Sequence, residues 1–298
     1  MSAVVIAVGR PRSPKLMALA RQLRSPVVLI SLAFLLVVLV CALVPNLIAP
    51  FDPYQQSLVR RLRPPSFLSG QGSNWLGTDQ LGRDILSRIV YGTRVTLAIS
   101  LAAVIIACII GGLMGLIAGY AGGWVDALVL RAIDAQLSFP VILLVIAVTA
   151  SIGASIGVLI VLMGLSAWPQ IARIVRSDVI SVRELEYVEA ARAIGAPPMR
   201  IILRHIAPNV LSALIVVATY ELSRMILIEA TLSFLGLGVQ PPTPTWGGMI
   251  SEGQKYVQTS WASSVFPGAA ITLTILAINM LGDALRDALD PRLANEQT

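Results

Sequence analysis

The chain has 298 residues, of which 56% are hydrophobic and only 13% are charged. A soluble domain carries about 25% charged residues, so this composition excludes an ordinary soluble protein and requires a surface that faces lipid. The formal net charge of +6 does not indicate nucleic acid binding, because the basic residues cluster at the ends of apolar segments and only 6% of the residues are aromatic.

Uncharged stretches between ionisable residues predict six transmembrane helices, since each crossing needs roughly 20 mostly apolar residues. We therefore expect an all-α, polytopic membrane protein. The six predicted spans lie near residues 27–44 and 96–120, from Trp124 to a break around residues 151–155, from that break to about Arg173, from about Pro208 to Leu235, and near residues 264–281. The third span then carries Asp126 and Asp134 at its beginning.

These spans divide the chain into a series of predicted segments. They are an N-terminal tail (1–25), a first transmembrane helix (26–50), an outer loop (51–95), a core of five transmembrane helices (96–285) that includes a cytoplasmic loop (173–207), and a C-terminal tail (286–298). Six crossings place both termini on one side. The first tail carries Arg10, Arg12, Lys15, Arg21 and Arg24 without an acidic residue, which predicts that this side is cytoplasmic. The apolar run that follows is longer than that of a signal peptide, so we interpret it as an anchor.

The sequence lacks the common motifs of enzymes and of metal sites. Its two lysines follow Pro14 and Gln254, so it has no Gly-Lys-Ser/Thr phosphate loop. Its single histidine, His205, belongs to no cluster with metal-ligand spacing, and there is no Gly-x-Ser-x-Gly motif. We therefore expect no catalytic residue, no metal and no cofactor in this chain, although scattered residues of an intramembrane enzyme would leave no such motif.

The cytoplasmic loop contains a short polar helix that begins near Glu186 and stops at Gly195. Ala190 and Ala191 make it slim enough for a groove, and Glu189 offers a charge to a partner. A glycine followed by Pro197 and Pro198 ends a helix sharply. On chemistry alone, this segment is equally consistent with a docking helix and with a solvated loop helix.

The fifth predicted span carries three charged residues. Glu221 and Arg224 are three positions apart and share one helix face, and Glu229 lies two turns beyond Glu221. An unpaired charge at mid-membrane costs about 2.5–3.5 kcal/mol on insertion scales. The three side chains are therefore expected to face a translocation path or to form an ion pair that locks helices together.

Two further features concern packing and the outer surface. Gly111, Gly115 and Gly119 form a small-xxx-small ladder that lets another helix approach closely, either from this chain or from a second subunit. In the outer loop, Asp79 and Asp84 lack calcium-loop spacing. That loop is consistent with a docking surface, a cap over the pore or a folded spacer.

Four stretches of sequence resemble a known family. Glu189-Ala190-Ala191, three residues, Gly195 and a later Pro208 resemble the EAA loop of binding-protein-dependent ABC importer permeases, although Ala207 departs from the leucine of that pattern. Residues 76–94 and 231–248 resemble the C-type permease subunit of dipeptide, oligopeptide and nickel importers. The C-terminal residues 281–292 agree with the same subunit.

The resemblance implies a type I ABC importer permease (MetI-like) fold in the bacterial cytoplasmic membrane. Its implied partners are a second homologous permease, two ATPases that use ATP and Mg²⁺, and an external solute-binding protein. Glu189, Ala190, Ala191, Gly195 and Pro208 would couple this chain to an ATPase, and the implied cargo is a peptide. Nickel or haem is the alternative cargo, and an ATP-independent secondary transporter or channel is the alternative class.

Overall fold

The computed structural model describes residues 25–70, 72–153 and 155–289, and these residues are almost entirely helical. Five helices are long and apolar enough to cross a membrane, and a bent pair provides a sixth crossing if it is counted as one span. The predicted six spans are thus reached only with the bent pair. Most of the two predicted tails lies outside the described residues, at 1–24 and 290–298. The basic residues that predict a cytoplasmic N-terminal tail are among them.

Helices of at least eight residues are numbered here in chain order, and shorter turns are left unnumbered. They are α1 (Pro26–Leu43), α2 (Ile85–Ala121), α3 (Gly123–Leu137), α4 (Val141–Ile152), α5 (Ile156–Arg183), α6 (Glu186–Ala193), α7 (Ala207–Phe234), α8 (Trp246–Gly253) and α9 (Ala262–Leu289). The main core lies where α2, α5 and α7 pack together, and its largest buried side chains include Ile99, Met163, Ile171 and Met225. Helix α1 packs against α2 and α9 and leaves most of its apolar side chains exposed, as expected for a surface in lipid.

Helix α2 begins well before the predicted start near residue 96. Asp84 caps it, because its carboxylate accepts a hydrogen bond from the backbone N–H of Ser87 at 2.8 Å. The additional turns contain Arg88 and Arg94, and these two charges are the reason that the sequence predicts a loop there. Arg94 donates to the carbonyls of Ala42 and Leu43 at the end of α1, and Arg88 is paired on the outer side, so neither charge interrupts the helix.

The glycine ladder of α2 packs against α5 of the same chain. A Cβ atom added to Gly111 or Gly115 would lie 2.6 Å from a backbone carbonyl oxygen of α5, and one added to Gly119 would lie 2.7 Å from Cβ of Val179. Gly164 of α5 fits in return against Ile106 of α2. The two backbones approach so closely that a side chain at these positions would force them apart.

The predicted third span is a pair of helices, α3 and α4, that meet at an angle of 75°. Pro140 cannot continue the hydrogen-bonding of α3, and the Ser138 hydroxyl donates to the Asp134 carbonyl at the bend. The predicted break before the fourth span lies at Gly153, whose φ is +86°. Beyond it, the Ser155 hydroxyl accepts a hydrogen bond from the backbone N–H of Val158 and caps α5.

The fifth span also begins earlier than the sequence indicates. Helical backbone runs from Pro198 through a π-helical turn, Ile202–Ile206, into α7, so Pro208 lies inside a continuous crossing. A proline removes one helical donor and crowds the carbonyl four residues earlier. The wider π turn directly before Pro208 accommodates that loss.

Candidate coupling and translocation sites

Helix α6 divides its residues between the core of the chain and the solvent. Val188 is fully buried and Ala191 is 8% exposed, and both belong to the main core. Glu189 and Ala190 are exposed on the opposite side. Because one face is anchored, α6 is held as a rigid element while the other face is presented outward.

The end of α6 is a complete Schellman motif. Gly195 has a φ of +78°, its N–H bonds to the Arg192 carbonyl at 3.0 Å, and the N–H of Ala196 bonds to the Ala191 carbonyl at 3.1 Å. A side chain at Gly195 would meet no atom within 4 Å. The glycine is therefore required for its backbone conformation and not for close packing.

Apolar side chains surround this turn on the exposed side. Ile194 is 85% exposed and Met199 is 66% exposed, although they lie in a polar loop. We define Glu189, Ala190, Ile194 and Met199 as the coupling surface. Large apolar side chains that are exposed in a polar loop are candidates for a contact with another protein. The sequence prediction missed Ile194 and Met199, and the signal that could have identified them was a large apolar residue on each side of the glycine.

Helix α6 is joined to α7 through three side chains. Asn209 Nδ2 donates to Tyr187 Oη at 3.1 Å and to the His205 carbonyl at 2.6 Å. The rings of Tyr187 and His205 lie 6.1 Å apart. These contacts span the π turn and link α6 to the start of α7.

Glu221 and Arg224 form an ion pair within α7. Arg224 Nε lies 3.0 Å from Glu221 Oε2, and the Glu221 side chain is only 6% exposed. Because both residues belong to one helix, the pair does not itself lock two helices together. Side-chain contacts that link α7 to α9 nearby include the Ser223 hydroxyl, which donates to Asn279 Oδ1 at 2.8 Å.

Glu229 lies apart from that pair and is fully enclosed by this chain. Its Oε1 accepts a hydrogen bond from the Ser233 hydroxyl at 2.7 Å, while Oε2 has no hydrogen-bond partner among the described residues. The sequence prediction grouped Glu229 with Glu221 and Arg224 along a path. In this conformation its carboxylate does not reach a surface that a second subunit could cover.

The outer segment contains a buried group of charges that the sequence did not reveal. We call Asp79, Arg83, Arg88 and Glu252 the outer cluster. Asp79 accepts from Arg83 Nε and from Arg88 Nη1, each at 2.6 Å, and Glu252 accepts from the same two arginines at 2.6 and 2.8 Å. Asp79, Arg83 and Arg88 are each no more than 3% exposed. These three charges are therefore enclosed and cannot serve as a docking surface, while the Glu252 side chain is 21% exposed.

The outer cluster connects three parts of the chain. Asp79 and Arg83 lie in the segment before α2, Arg88 lies in α2, and Glu252 lies in α8. Burial alone would raise the pKa of Glu252. The guanidinium groups of Arg88 and Arg83 lower this pKa by more than burial raises it, so it lies below its ordinary value of 4.5. Glu252 is thus held in its ionised form.

Comparison with known proteins identifies the family. Residues 111–295 match the family described as "Binding-protein-dependent transport system inner membrane component". This match covers more than half of the chain. The protein belongs to this family of permeases. Residues 13–65 also match the N-terminal TM domain of oligopeptide transport permease C.

Three curated relatives of this permease bear descriptive names. The dipeptide transport system permease protein DppC of Escherichia coli K12 is 44% identical over 89% of this chain and 88% of its own length. The di/tripeptide transport system permease protein DppC of Pseudomonas aeruginosa is 42% identical over the same shares. The nickel transport system permease protein NikC of Escherichia coli K12 is 39% identical over 83% of this chain and 87% of its own length.

A solved structure shares the fold of the permease. It is described as inward facing conformations of the MetNI methionine ABC transporter, and the superposed chain has a TM-score of 0.58 at 22% identity. The match covers 69% of this permease and 98% of that chain. The predicted MetI-like, all-α fold is therefore confirmed.

The structure separates the predicted site residues of the permease into several places. Glu189, Ala190 and Gly195 are exposed on α6 and the turn that ends it, Ala191 faces the core, and Pro208 follows the π turn. The charged residues of α7 and the glycine ladder of α2 lie in other parts of the bundle. Their functional roles stay predictions.

Proposed function

We propose that this permease belongs to an ATP-driven importer that carries di- and oligopeptides across the bacterial cytoplasmic membrane. The coupling surface is the observation that supports this proposal most strongly. It is a rigid, partly apolar surface that does not cover the core of its own chain. A groove in a cytoplasmic ATPase is the partner that suits it.

The geometry of α6 suits the transmission of force. A helix anchored by Val188 and Ala191 and ended by a closed turn moves as one body, whereas a loose loop would absorb a displacement. Movement of α6 would pass through Tyr187 and Asn209 into α7. Closure of the ATPases would in this way change the opening of the bundle.

The remaining components follow from the same proposal. ATP and Mg²⁺ would be bound by two ATPase subunits, since the sequence of this permease contains no phosphate loop and we expect no cofactor in it. A second homologous permease and an external solute-binding protein would complete the importer. Both termini of this chain would lie in the cytoplasm, and its surface would contact the lipid bilayer.

The peptide cargo is proposed because two of the named relatives are peptide permeases. The nickel permease among the relatives supports nickel as the second candidate cargo, at somewhat lower identity. Competition separates the two, because a peptide importer is inhibited by excess unlabelled dipeptide and a nickel importer is inhibited by excess nickel.

The class of transporter is tested by reconstitution of the purified complex in proteoliposomes. We expect an ATPase to co-purify with this permease, and we expect uptake of a labelled dipeptide to require ATP. If no ATPase co-purifies and uptake persists without ATP, the protein is a secondary transporter or a channel and the proposal is wrong.

We also propose that Glu221 and Arg224 contribute to the translocation path, because a charged pair on a membrane helix is expected to contact water or a polar cargo. The double variant Glu221→Gln with Arg224→Met removes both charges together and leaves neither partner unpaired. We expect reduced peptide uptake with normal insertion in the membrane. Full transport in this variant would show that Glu221 and Arg224 do not contribute to the path. Glu229 is enclosed and is not part of this proposal.

A further inference from the structure

A cavity of about 600 Å³ opens between α5, α7 and α9. Its volume lies within the range of sites for small molecules, which is about 300–1,000 Å³. Helices α5 and α9 both pack against α7, and the cavity lies along α7 between them. Its polar lining residues include Asp178, Asn209, Ser212, Tyr220 and Arg286.

The charges that line this cavity are opposite in sign and lie on different helices. Asp178 of α5 is partly buried and forms no ion pair with any residue in ranges 25–70, 72–153 and 155–289. The nearby arginines of α5 do not neutralise it, because Arg173 pairs with Asp134 and Arg176 pairs with Asp126. Arg286 of α9 supplies the positive charge of the cavity.

Another acidic group close to the cavity is already engaged, because Asp283 accepts a hydrogen bond from the Tyr220 hydroxyl at 2.5 Å. Asp178 is the acidic residue that lines the cavity itself. A partly buried carboxylate without a partner is costly, so a cation that binds there gains more than it would at a solvated site.

We propose that this cavity binds a short zwitterionic peptide on the cytoplasmic side of the path, and this inference rests on the proposed function. The peptide ammonium group would meet Asp178, and its terminal carboxylate would meet Arg286. Asp178 and Arg286 line the cavity from two helices that both pack against α7. A short peptide with free termini carries one group of each opposite charge, and the cavity volume is within the range of sites that hold small molecules.

The cavity is also connected to the coupling surface. Asn209 lines it and donates its side-chain hydrogen bond to Tyr187 of α6. A displacement of α6 would therefore alter the wall of the cavity. The peptide would be held or released in step with the movement of α6.

The experiment uses the complete transporter in inside-out membrane vesicles without ATP. Cys41 and Cys108 are replaced by alanine, and Ser212→Cys places one thiol in the cavity. We expect a membrane-impermeant maleimide to label this thiol and a zwitterionic dipeptide to slow the labelling. The same dipeptide with an acetylated N-terminus and an amidated C-terminus is expected to give no protection.

The charge of Asp178 is tested in the same background. Asp178→Asn is expected to raise the dipeptide concentration for half-protection roughly tenfold or more, since a hydrogen bond to a charged group is lost. Glu184→Gln is the matched control, because Glu184 is an exposed acid at the end of α5 that does not line the cavity. Ser181→Cys, at an exposed position of α5, is the control thiol that the dipeptide should not protect.

Three results would overturn the inference: a thiol at position 212 that is not labelled, equal protection by the blocked dipeptide, or unchanged protection in Asp178→Asn. Uptake measured on the same variants keeps the two proposals apart. Normal protection with ATP-independent uptake would contradict the proposed function alone. Absent protection with ATP-driven uptake would contradict the cavity alone.

Discussion

The two ends of this permease, predicted to be outer and cytoplasmic, differ in how they satisfy their charged and apolar groups. In the outer cluster, two carboxylates and two guanidinium groups pair with each other, and all but Glu252 are buried. At the predicted cytoplasmic end, Ile194 is 85% exposed, and Asp178 has no ion-pair partner in the described part of the chain.

This difference indicates which charged groups stabilise the fold and which are left for contacts with other molecules. Buried charges remain stable only when every partner is present, so the outer cluster fixes the conformation of the chain itself. Groups that are left exposed or unpaired do not stabilise the isolated chain. We infer that the cytoplasmic end is shaped for contacts that other molecules complete.

The largest expected effect is the loss of stability when the outer cluster is broken. Asp79→Asn removes the charge that lies between Arg83 and Arg88. Both guanidinium groups then have Glu252 as their one remaining carboxylate partner in the outer cluster. Breaking a buried ion pair on one side costs about 3–5 kcal/mol. The melting temperature and the yield of the detergent-solubilised complex measure this effect. Asp52→Asn, at an exposed residue of the segment before α2, is the control, and equal losses in both variants would contradict the comparison.

A smaller effect is expected where α2 packs against α5. Gly115→Ala would place Cβ 2.6 Å from the Ala172 carbonyl oxygen, and overpacking of this kind costs about 1–3 kcal/mol. At Gly157 of α5, an added Cβ meets no atom within 4 Å, so Gly157→Ala is expected to be neutral or to stabilise the helix by up to about 1 kcal/mol. Thermal unfolding should therefore occur at a lower temperature in Gly115→Ala and should not do so in Gly157→Ala. A Gly115→Ala variant as stable as the original protein would show that α2 and α5 are not closely packed.

The smallest effect concerns the response of the outer cluster to acid. The pKa of Glu252 is lower in the folded protein than its ordinary value of 4.5, because the neighbouring arginines outweigh its burial. This carboxylate therefore contributes stability that is present above that value and is lost as the pH falls through the lower folded pKa. We expect acidification from pH 7 to below 4 to lower the melting temperature less in Glu252→Gln than in the original protein. Glu184→Gln at the cytoplasmic end should respond like the original, and an unchanged response of Glu252→Gln would contradict this role.

The local sequence was sufficient to predict the features that depend on a few neighbouring residues. The helix that stops at Gly195 and the break at Gly153 follow from glycine and serine signals within one or two turns. The bend before Pro140 carried a similar signal, but the apolar run across it concealed the change of direction. The start of α7 was predicted too late, because a proline inside a helix is accommodated by a π turn.

The outer cluster could not be predicted from the sequence for a different reason. Arg88 and Glu252 are separated by 164 positions, and their pairing depends on how α8 folds back over the start of α2. Without that partner, Arg88 looked like a loop residue, and the beginning of α2 was therefore placed near residue 96. The buried face of α6 was likewise hidden, since Ala190 and Ala191 are the same residue type and only the packing shows that one faces the core.

The most direct test of the central claim measures peptide uptake and ATP hydrolysis together in proteoliposomes that contain the complete transporter. Gly195→Asp and Glu189→Lys alter α6 and the turn that ends it without entering the core, because a Cβ atom added at Gly195 meets no atom within 4 Å and Glu189 is exposed. Gly236→Asp is the matched control at the outer end, since Gly236 has the same φ of +78° and the same free space.

We expect both cytoplasmic variants to insert and assemble normally, to continue ATP hydrolysis, and to lose uptake by roughly tenfold or more, the equivalent of about 1.4 kcal/mol of coupling. Gly236→Asp should retain its uptake. Normal uptake in both Gly195→Asp and Glu189→Lys would contradict the claim that α6 couples this permease to an ATPase.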